Sequence, residues 1–142
     1  MTAPGPRPIR FAFSRGRSDV YGTVHRPSAK VYLRTSRRTW MPHYMLVDTG
    51  ADFSLIPKLI GDVLGLMKSA TDRPHRAGAV GGWIWVIMRR IRIRVGDREF
   101  EADVGWAQTN DAPLLLGRAD VFDHFRVSFD QKERITEFHW RA

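Results

Sequence analysis

An aspartate that directly follows an apolar run is the first feature of this sequence that could do chemistry. The segment Tyr44–Val47 leads into Asp48-Thr49-Gly50, and no other aspartate of the chain precedes Thr-Gly or Ser-Gly. A carboxylate at the end of a buried strand loses hydration, which is costly unless a functional or hydrogen-bonded arrangement compensates for it. An Asx turn after a strand is the structural alternative. Asp48 alone therefore leaves catalysis and a local turn both open.

Two later segments could cooperate with this aspartate. Gly78-Ala-Val-Gly-Gly-Trp-Ile84 holds more glycine than a tight turn requires, which favours a mobile hairpin tip over a plain turn. In this interpretation Val80 lies near the apex and Trp83 just behind it. The third segment is Pro113-Leu-Leu-Leu-Gly-Arg118, an apolar run that ends in glycine and arginine.

Composition limits the class of protein. The chain has 142 residues, of which 43% are hydrophobic, which fits one globular domain. It contains no cysteine and five scattered histidines, so we expect no disulfide, no thiolate nucleophile, no metal site and no cofactor. No apolar run approaches the length of a membrane span and the N-terminus lacks a signal-peptide pattern, so we expect no membrane association and, by default, a cytoplasmic location.

The net charge of +8 is the main competing functional signal, because arginine clusters attract phosphate. One cluster, Arg89–Val95, alternates with apolar residues and is followed by Gly96-Asp97 and a segment of opposite charge, Arg98–Val104, a pattern typical of a β-hairpin. If Val95 faces Arg98, the sequence predicts an apolar face and a ladder of opposite charges. The ladder pairs Arg94 with Glu99, Arg92 with Glu101 and Arg90 with Asp103. These pairs would use up much of the charge that binding of nucleic acid requires.

The remaining pattern predicts a mostly β protein with one or two short helices. The helices are expected from Pro57 to Leu64 and from Ala119 to His124. Short runs rich in branched and aromatic residues predict the other strands: Ile9–Phe13, Lys30–Arg34, Tyr44–Asp48, Trp83–Met88, Leu114–Leu116, Phe125–Phe129 and Ile135–Trp140.

Taken in order, the three motifs resemble those of the retropepsins, the family of retroviral proteases and their cellular and bacterial relatives. Leu46-Val-Asp-Thr-Gly-Ala-Asp52 is similar to the catalytic motif, the glycine-rich segment to the flap that folds over the substrate, and Pro113–Arg118 with Phe125–Phe129 to the later motif and final strands. The resemblance implies a closed β-barrel with a glycine-rich flap hairpin. The matching motifs cover most of Tyr44 to Trp140. The protease-like domain is expected over residues 30–142, after an N-terminal extension of residues 1–29. This extension and the insertion near Pro57 are more similar to the cellular and bacterial branch.

The resemblance also implies roles for individual residues. Asp48 would be catalytic, supported by Thr49 and Gly50, in an aspartic endopeptidase that acts as a homodimer on a peptide or protein. Two Asp48 carboxylates, one from each chain, would share a proton and activate water. Asp52 and Arg118 would form a charged pair near the dimer contact, beside Gly117, and the chain ends would interleave in the dimer through Thr136–Trp140. The residues implied to bind substrate are Ala51, Asp52, Val80, Gly81, Gly82 and Trp83.

Two other functions remain open at this point. A retropepsin-fold dimer could bind peptide or protein without cutting it, because a fold does not fix an activity. A basic β domain that binds nucleic acid is the less favoured alternative, and it predicts a steeply salt-dependent affinity.

Overall fold

The computed structural model of the chain describes residues 6–79 and 81–141, which form three β-sheets and two short helices. The helices are α1 (Lys58–Leu64) and α2 (Val121–His124). The strands, in chain order, are β1 (Ile9–Ala12), β2 (Ser14–Ser18), β3 (Gly22–Arg26), β4 (Ser28–Arg34), β5 (Trp40–Val47), β6 (Ser54–Ile56), β7 (His75–Ala79), β8 (Gly82–Val95), β9 (Arg98–Ala107), β10 (Leu115–Leu116), β11 (Phe125–Asp130) and β12 (Ile135–Trp140).

Six strands close into a barrel in the order β4, β5, β10, β6, β9 and β8, and β8 returns to β4 through Val31 opposite Val95. Strand β7 adds to the outer part of β8 and completes the glycine-rich hairpin. The predicted mostly β, closed barrel with a glycine-rich hairpin and two short helices is confirmed. Its interior is apolar: Val31, Leu33 and Ile93 are at most 1% exposed. Burial of such side chains is the main source of stability for a barrel of this size.

The hairpin of β8 and β9 has the predicted register, with Val95 opposite Arg98 and Arg90 opposite Asp103. The expected charge ladder is only partly correct. Arg90 pairs with Asp103 at 3.1 Å, but Arg92 approaches Glu99 diagonally at 3.4 Å. Arg94 does not pair with Glu99; its guanidinium lies 4.3 Å from the ring centroid of Tyr32 and 5.0 Å from that of Trp40.

Several elements differ from the sequence prediction. The two segments predicted as separate strands, Trp83–Met88 and Ile91–Val95, form the single strand β8. The hairpin of β2 and β3 was not predicted, because its strands are rich in serine, arginine and glycine and lack apolar alternation. Helix α1 begins at Lys58, after Pro57, and ends at Leu64. The next residue, Gly65, has a φ of 91°, in the left-handed region that glycine tolerates.

The last strand lies in the middle of the second sheet, in the order β1, β12, β11. Residues Ile135–Phe138 pair with β1 on one side and with β11 on the other, within one chain. Both hydrogen-bonding edges of Ile135–Phe138 are thus occupied within one chain. The expectation that Thr136–Trp140 interleaves with a second chain stays a prediction, and it requires the pairing with β1 or with β11 to be exchanged between chains.

Candidate active site

The turn at Asp48 follows the end of β5 and is held by local hydrogen bonds. The Asp48 Oδ1 atom accepts a hydrogen bond from the Gly50 main-chain N–H at 2.9 Å. The Ala51 N–H donates to the Asp48 main-chain oxygen at 3.3 Å. A Cβ on Gly50 would lie 3.3 Å from Asp48 Oδ1, so glycine leaves room for this turn. The hydrogen bond from Gly50 thus orients the Asp48 carboxylate.

The segment around β10 fixes the turn from behind. The Asp48 N–H donates to the Leu116 main-chain oxygen at 3.0 Å, which extends the parallel pairing of β10 with β5. Farther along, the Arg118 N–H donates to the Ala51 oxygen and the Ala119 N–H to the Asp52 oxygen, each at 2.9 Å. The first and third sequence motifs are therefore parts of one hydrogen-bonded unit.

Gly117 lies at the tightest point of this unit. A Cβ at Gly117 would overlap the main-chain carbonyl of Phe53, so only glycine allows the two loops to approach this closely. The Gly117 N–H donates to the hydroxyl of Ser54 at 3.0 Å, and Ser54 is only 1% exposed. Ser54 was not identified from the sequence, since a lone serine after a turn carries no signal of this contact.

Arg118 connects the turn to Asp52, as the resemblance implied. Its Nη2 atom lies 2.7 Å from Asp52 Oδ1, and its Nη1 donates to the main-chain oxygen of Thr49 at 2.7 Å. The expected charged pair of Asp52 and Arg118 is present within the chain, and its place near a dimer contact stays a prediction. Both side chains are exposed, at 81% and 48%. The Thr49 side chain is exposed as well.

A cleft of about 640 Å³ lies between the turn and the hairpin of β7 and β8. Asp48, Gly50 and Ala51 line it from the turn, and Ala77 and Gly78 line it from β7. A neighbouring part of the same depression is bordered by Asp52. The structure therefore brings the catalytic candidate, two of the candidate substrate-binding residues and the glycine-rich hairpin to one cleft.

Only one of two neighbouring hairpin residues lines the cleft. Ile84 lines the cleft, whereas Trp83 packs edge-on against Trp85 at 5.0 Å between ring centroids and is 51% exposed. Successive side chains of a strand point to opposite faces, which explains why only one of these neighbours can face Asp48. Gly81 and Gly82 have φ values of 89° and 152° at the turn. Val80 lies outside the described residues.

The third wall of the cleft includes residues that the sequence did not identify as functional. The cleft is lined here by Leu115 of β10 and by Leu55. Asp111 and Ala112, in the loop before β10, line it as well. Leu115 belongs to the apolar motif Pro113–Arg118, so its place at the cleft could have been predicted from that motif. Asp111 gives no pattern of its own.

The arginine-rich surface is partly neutralised. Arg89 pairs with Asp72 at 2.8 Å, and this contact holds the pKa of the Asp72 carboxyl below its usual value. Arg90 pairs with Asp120 at 2.8 Å in addition to Asp103. These contacts weaken the case for a nucleic-acid surface on this face of the barrel.

Neither a group of metal ligands nor a membrane-spanning helix occurs in the part of the chain that the structure describes. Among residues 6–79 and 81–141, no three His, Asp or Glu side chains lie together in a way that could hold a metal ion. Neither of the two helices described is long enough to cross a membrane.

No protein-family model and no curated protein matches the sequence. Among solved structures, the chain is similar to one described as EIAV protease complexed with the inhibitor HBY-793. The two share 25% sequence identity over 66% of this chain and 82% of the other, with a TM-score of 0.48.

Proposed function

We propose that this chain is an aspartic endopeptidase whose active site forms when two copies pair and each contributes Asp48. The observation that carries the proposal is the convergence of three separate sequence motifs on one cleft. The turn at Asp48, the glycine-rich hairpin and the Leu115 segment meet there. A carboxylate held in a clamped turn beneath a hairpin is an arrangement that suits cleavage of an extended peptide.

The chemistry requires two carboxylates, and this chain offers one Asp-Thr-Gly segment. Two Asp48 side chains facing each other across a two-fold axis would share one proton, because like charges about 3 Å apart cannot both ionise cheaply. The ionised carboxylate takes a proton from a water molecule, which attacks the scissile carbonyl carbon. The protonated carboxyl donates a hydrogen bond to the carbonyl oxygen as negative charge develops there.

Gly50 and Arg118 position Asp48, whereas the hairpin and Asp52 act on the bound peptide. Gly50 orients its carboxylate through the 2.9 Å hydrogen bond, and Arg118 holds the following residue, Thr49. The hairpin of β7 and β8 excludes water from the bound peptide and offers main-chain groups that can pair with an extended chain. Asp52 and the hairpin glycines are the proposed contacts for the substrate main chain.

The proposal is tested by incubating the wild-type protein and the Asp48→Asn variant with a random peptide library from acidic to neutral pH. Mass spectrometry of the products should show cleavage by the wild type and none by the variant, which should retain the same circular dichroism spectrum. Asparagine is close to aspartate in shape but carries no charge, so the comparison isolates the contribution of the Asp48 carboxylate. Equal cleavage by both proteins would refute the proposal, and so would no cleavage by a folded wild-type dimer.

A further inference from the structure

We propose that Asp111 makes the cleft select a lysine or arginine side chain of the substrate, close to the bond that is cut. This inference rests on the proposed peptidase function. It concerns the part of the cleft that Asp111 shares with Asp48.

The charge of this part of the cleft is opposite to that of the chain as a whole. The chain carries a formal charge of +8. The residues that line this part of the cleft include two carboxylates, Asp48 and Asp111, and otherwise only apolar residues, glycine and proline. The neighbouring part of the depression, which Asp52 borders, also holds Arg76, whose guanidinium lies 5.4 Å from the ring centroid of Trp83. The part beside Asp111 has no such cation among the described residues of its lining. Its negative charge points to a cationic ligand group, because a cleft with low-dielectric walls concentrates the field of its own charges.

Asp111 differs from most acidic residues of the described chain in lacking a cationic partner. Asp52 pairs with Arg118, Asp72 with Arg89, and Asp103 with Arg90. No ion pair of the residues in 6–79 and 81–141 involves Asp111. Its side chain is exposed at the wall of the cleft, so its charge is available to a bound peptide.

The loop that carries Asp111 is anchored to the start of helix α1. The Lys58 N–H donates to the Thr109 main-chain oxygen at 3.1 Å, and the Leu59 N–H donates to Asn110 Oδ1 at 2.8 Å. The Asp111 N–H in turn donates to the Thr109 hydroxyl at 3.2 Å. These contacts hold the loop in place before a ligand arrives, which lowers the entropic cost of binding.

The surroundings of Asp111 suit a long side chain with a charged end. Leu55, Ile84, Ala112 and Leu115 provide an apolar wall in the same part of the cleft. Lysine and arginine place their methylene stems on apolar surface and keep the charged end at a polar rim. An aspartate or glutamate of the substrate would instead meet the like charge of Asp111.

The test separates selection from cutting by measuring peptide binding to Asp48→Asn protein. Two fluorescent hexapeptide pools are used, random except for one central position that is lysine in the first and norleucine in the second. Fluorescence anisotropy should show about tenfold tighter binding of the lysine pool, the scale of one hydrogen bond to a charged group. The additional change Asp111→Asn should abolish the difference. Glu133→Gln, which removes one exposed negative charge in the turn before β12, should preserve it.

Equal binding of the two pools by the parent protein, or no binding of either, would overturn the inference. It would also be overturned if Asp111→Asn shifted the monomer–dimer midpoint in sedimentation while the preference stayed unchanged, which would assign the carboxylate to the dimer contact. A lysine preference in a wild-type protein that cuts no peptide would refute the peptidase function and leave the role of Asp111 standing.

Discussion

The guanidinium of Arg118 donates to the main-chain oxygen of Thr49, the residue that follows Asp48, at 2.7 Å. The same guanidinium binds Asp52 at 2.7 Å through its other terminal nitrogen. One side chain thus bridges both ends of the turn that carries the proposed catalytic carboxylate. Because the side chains of Arg118 and Asp52 are both exposed, their ion pair contributes little to stability. Its main effect is to fix the turn.

Replacing Arg118 by lysine tests this positioning. Lysine keeps the charge but cannot reach both oxygens with the fixed geometry of a guanidinium. We expect kcat/KM to fall by about tenfold or more, since small displacements of a catalytic group are costly. The free energy of unfolding should change by less than about 1 kcal/mol. The measurements are peptide cleavage kinetics and urea denaturation.

Arg126→Lys is the matched control, an exposed arginine of β11 that makes no ion pair among the described residues. It should behave as the wild type in both measurements. Wild-type kcat/KM in Arg118→Lys would show that the bridge to Thr49 has no role in catalysis.

The buried hydrogen bond between Gly117 and Ser54 predicts a loss of stability in Ser54→Ala. The change removes the acceptor and leaves the Gly117 N–H buried without a partner, which costs about 1–3 kcal/mol. Urea denaturation should show the midpoint shifted to lower concentration. Ser128→Ala, an exposed serine of β11, should change the free energy of unfolding by less than about 0.5 kcal/mol. Equal stability of the two variants would contradict the assignment.

The sequence predicted the register of the β8 and β9 hairpin because the pattern is local: alternating polarity and the Gly96-Asp97 turn leave one alignment. It did not predict the position of Arg94, because Tyr32 and Trp40 come from strands far away in the chain. For Arg94, a cation–π contact with two rings is at least as favourable as an exposed ion pair with Glu99.

The sequence predicted those residues of the candidate site that belong to a motif. Asp48 as the catalytic candidate and the pair of Asp52 with Arg118 followed from the resemblance, and the structure adds that the two motifs are hydrogen-bonded to each other. The positions of Ser54 and Asp111 were not predictable, since only folding brings Ser54 to Gly117 and Asp111 to the cleft. In the hairpin, Ile84 lines the cleft, and the expected contact of Trp83 with substrate stays a prediction.

His43 predicts a stability change with pH. Its imidazole is half-buried on β5, its Nε2 is enclosed without a hydrogen-bond partner, and burial lowers the pKa of His43 from 6.5. At a pH between the lowered pKa of folded His43 and 6.5, the unfolded chain binds more protons than the folded one. The free energy of unfolding therefore falls as the pH drops through this range.

The measurement is urea denaturation of wild-type and His43→Phe protein from pH 8 to about pH 5, the range in which an ordinary histidine titrates. Phenylalanine keeps the ring and cannot bind a proton. The variant should lose less stability than the wild type as pH falls. Parallel pH profiles of the two proteins would mean that the His43 environment does not oppose protonation.

The claim that each chain supplies one of two required carboxylates is tested most directly by mixing. Wild-type and Asp48→Asn protein are unfolded, combined in varying ratio at constant total concentration, refolded and assayed for peptide cleavage. If a working site needs both Asp48 residues, random pairing leaves about one quarter of the activity in an equal mixture, and the decline follows the square of the wild-type fraction. A linear decline to about one half would mean that each chain works alone, and would contradict the account.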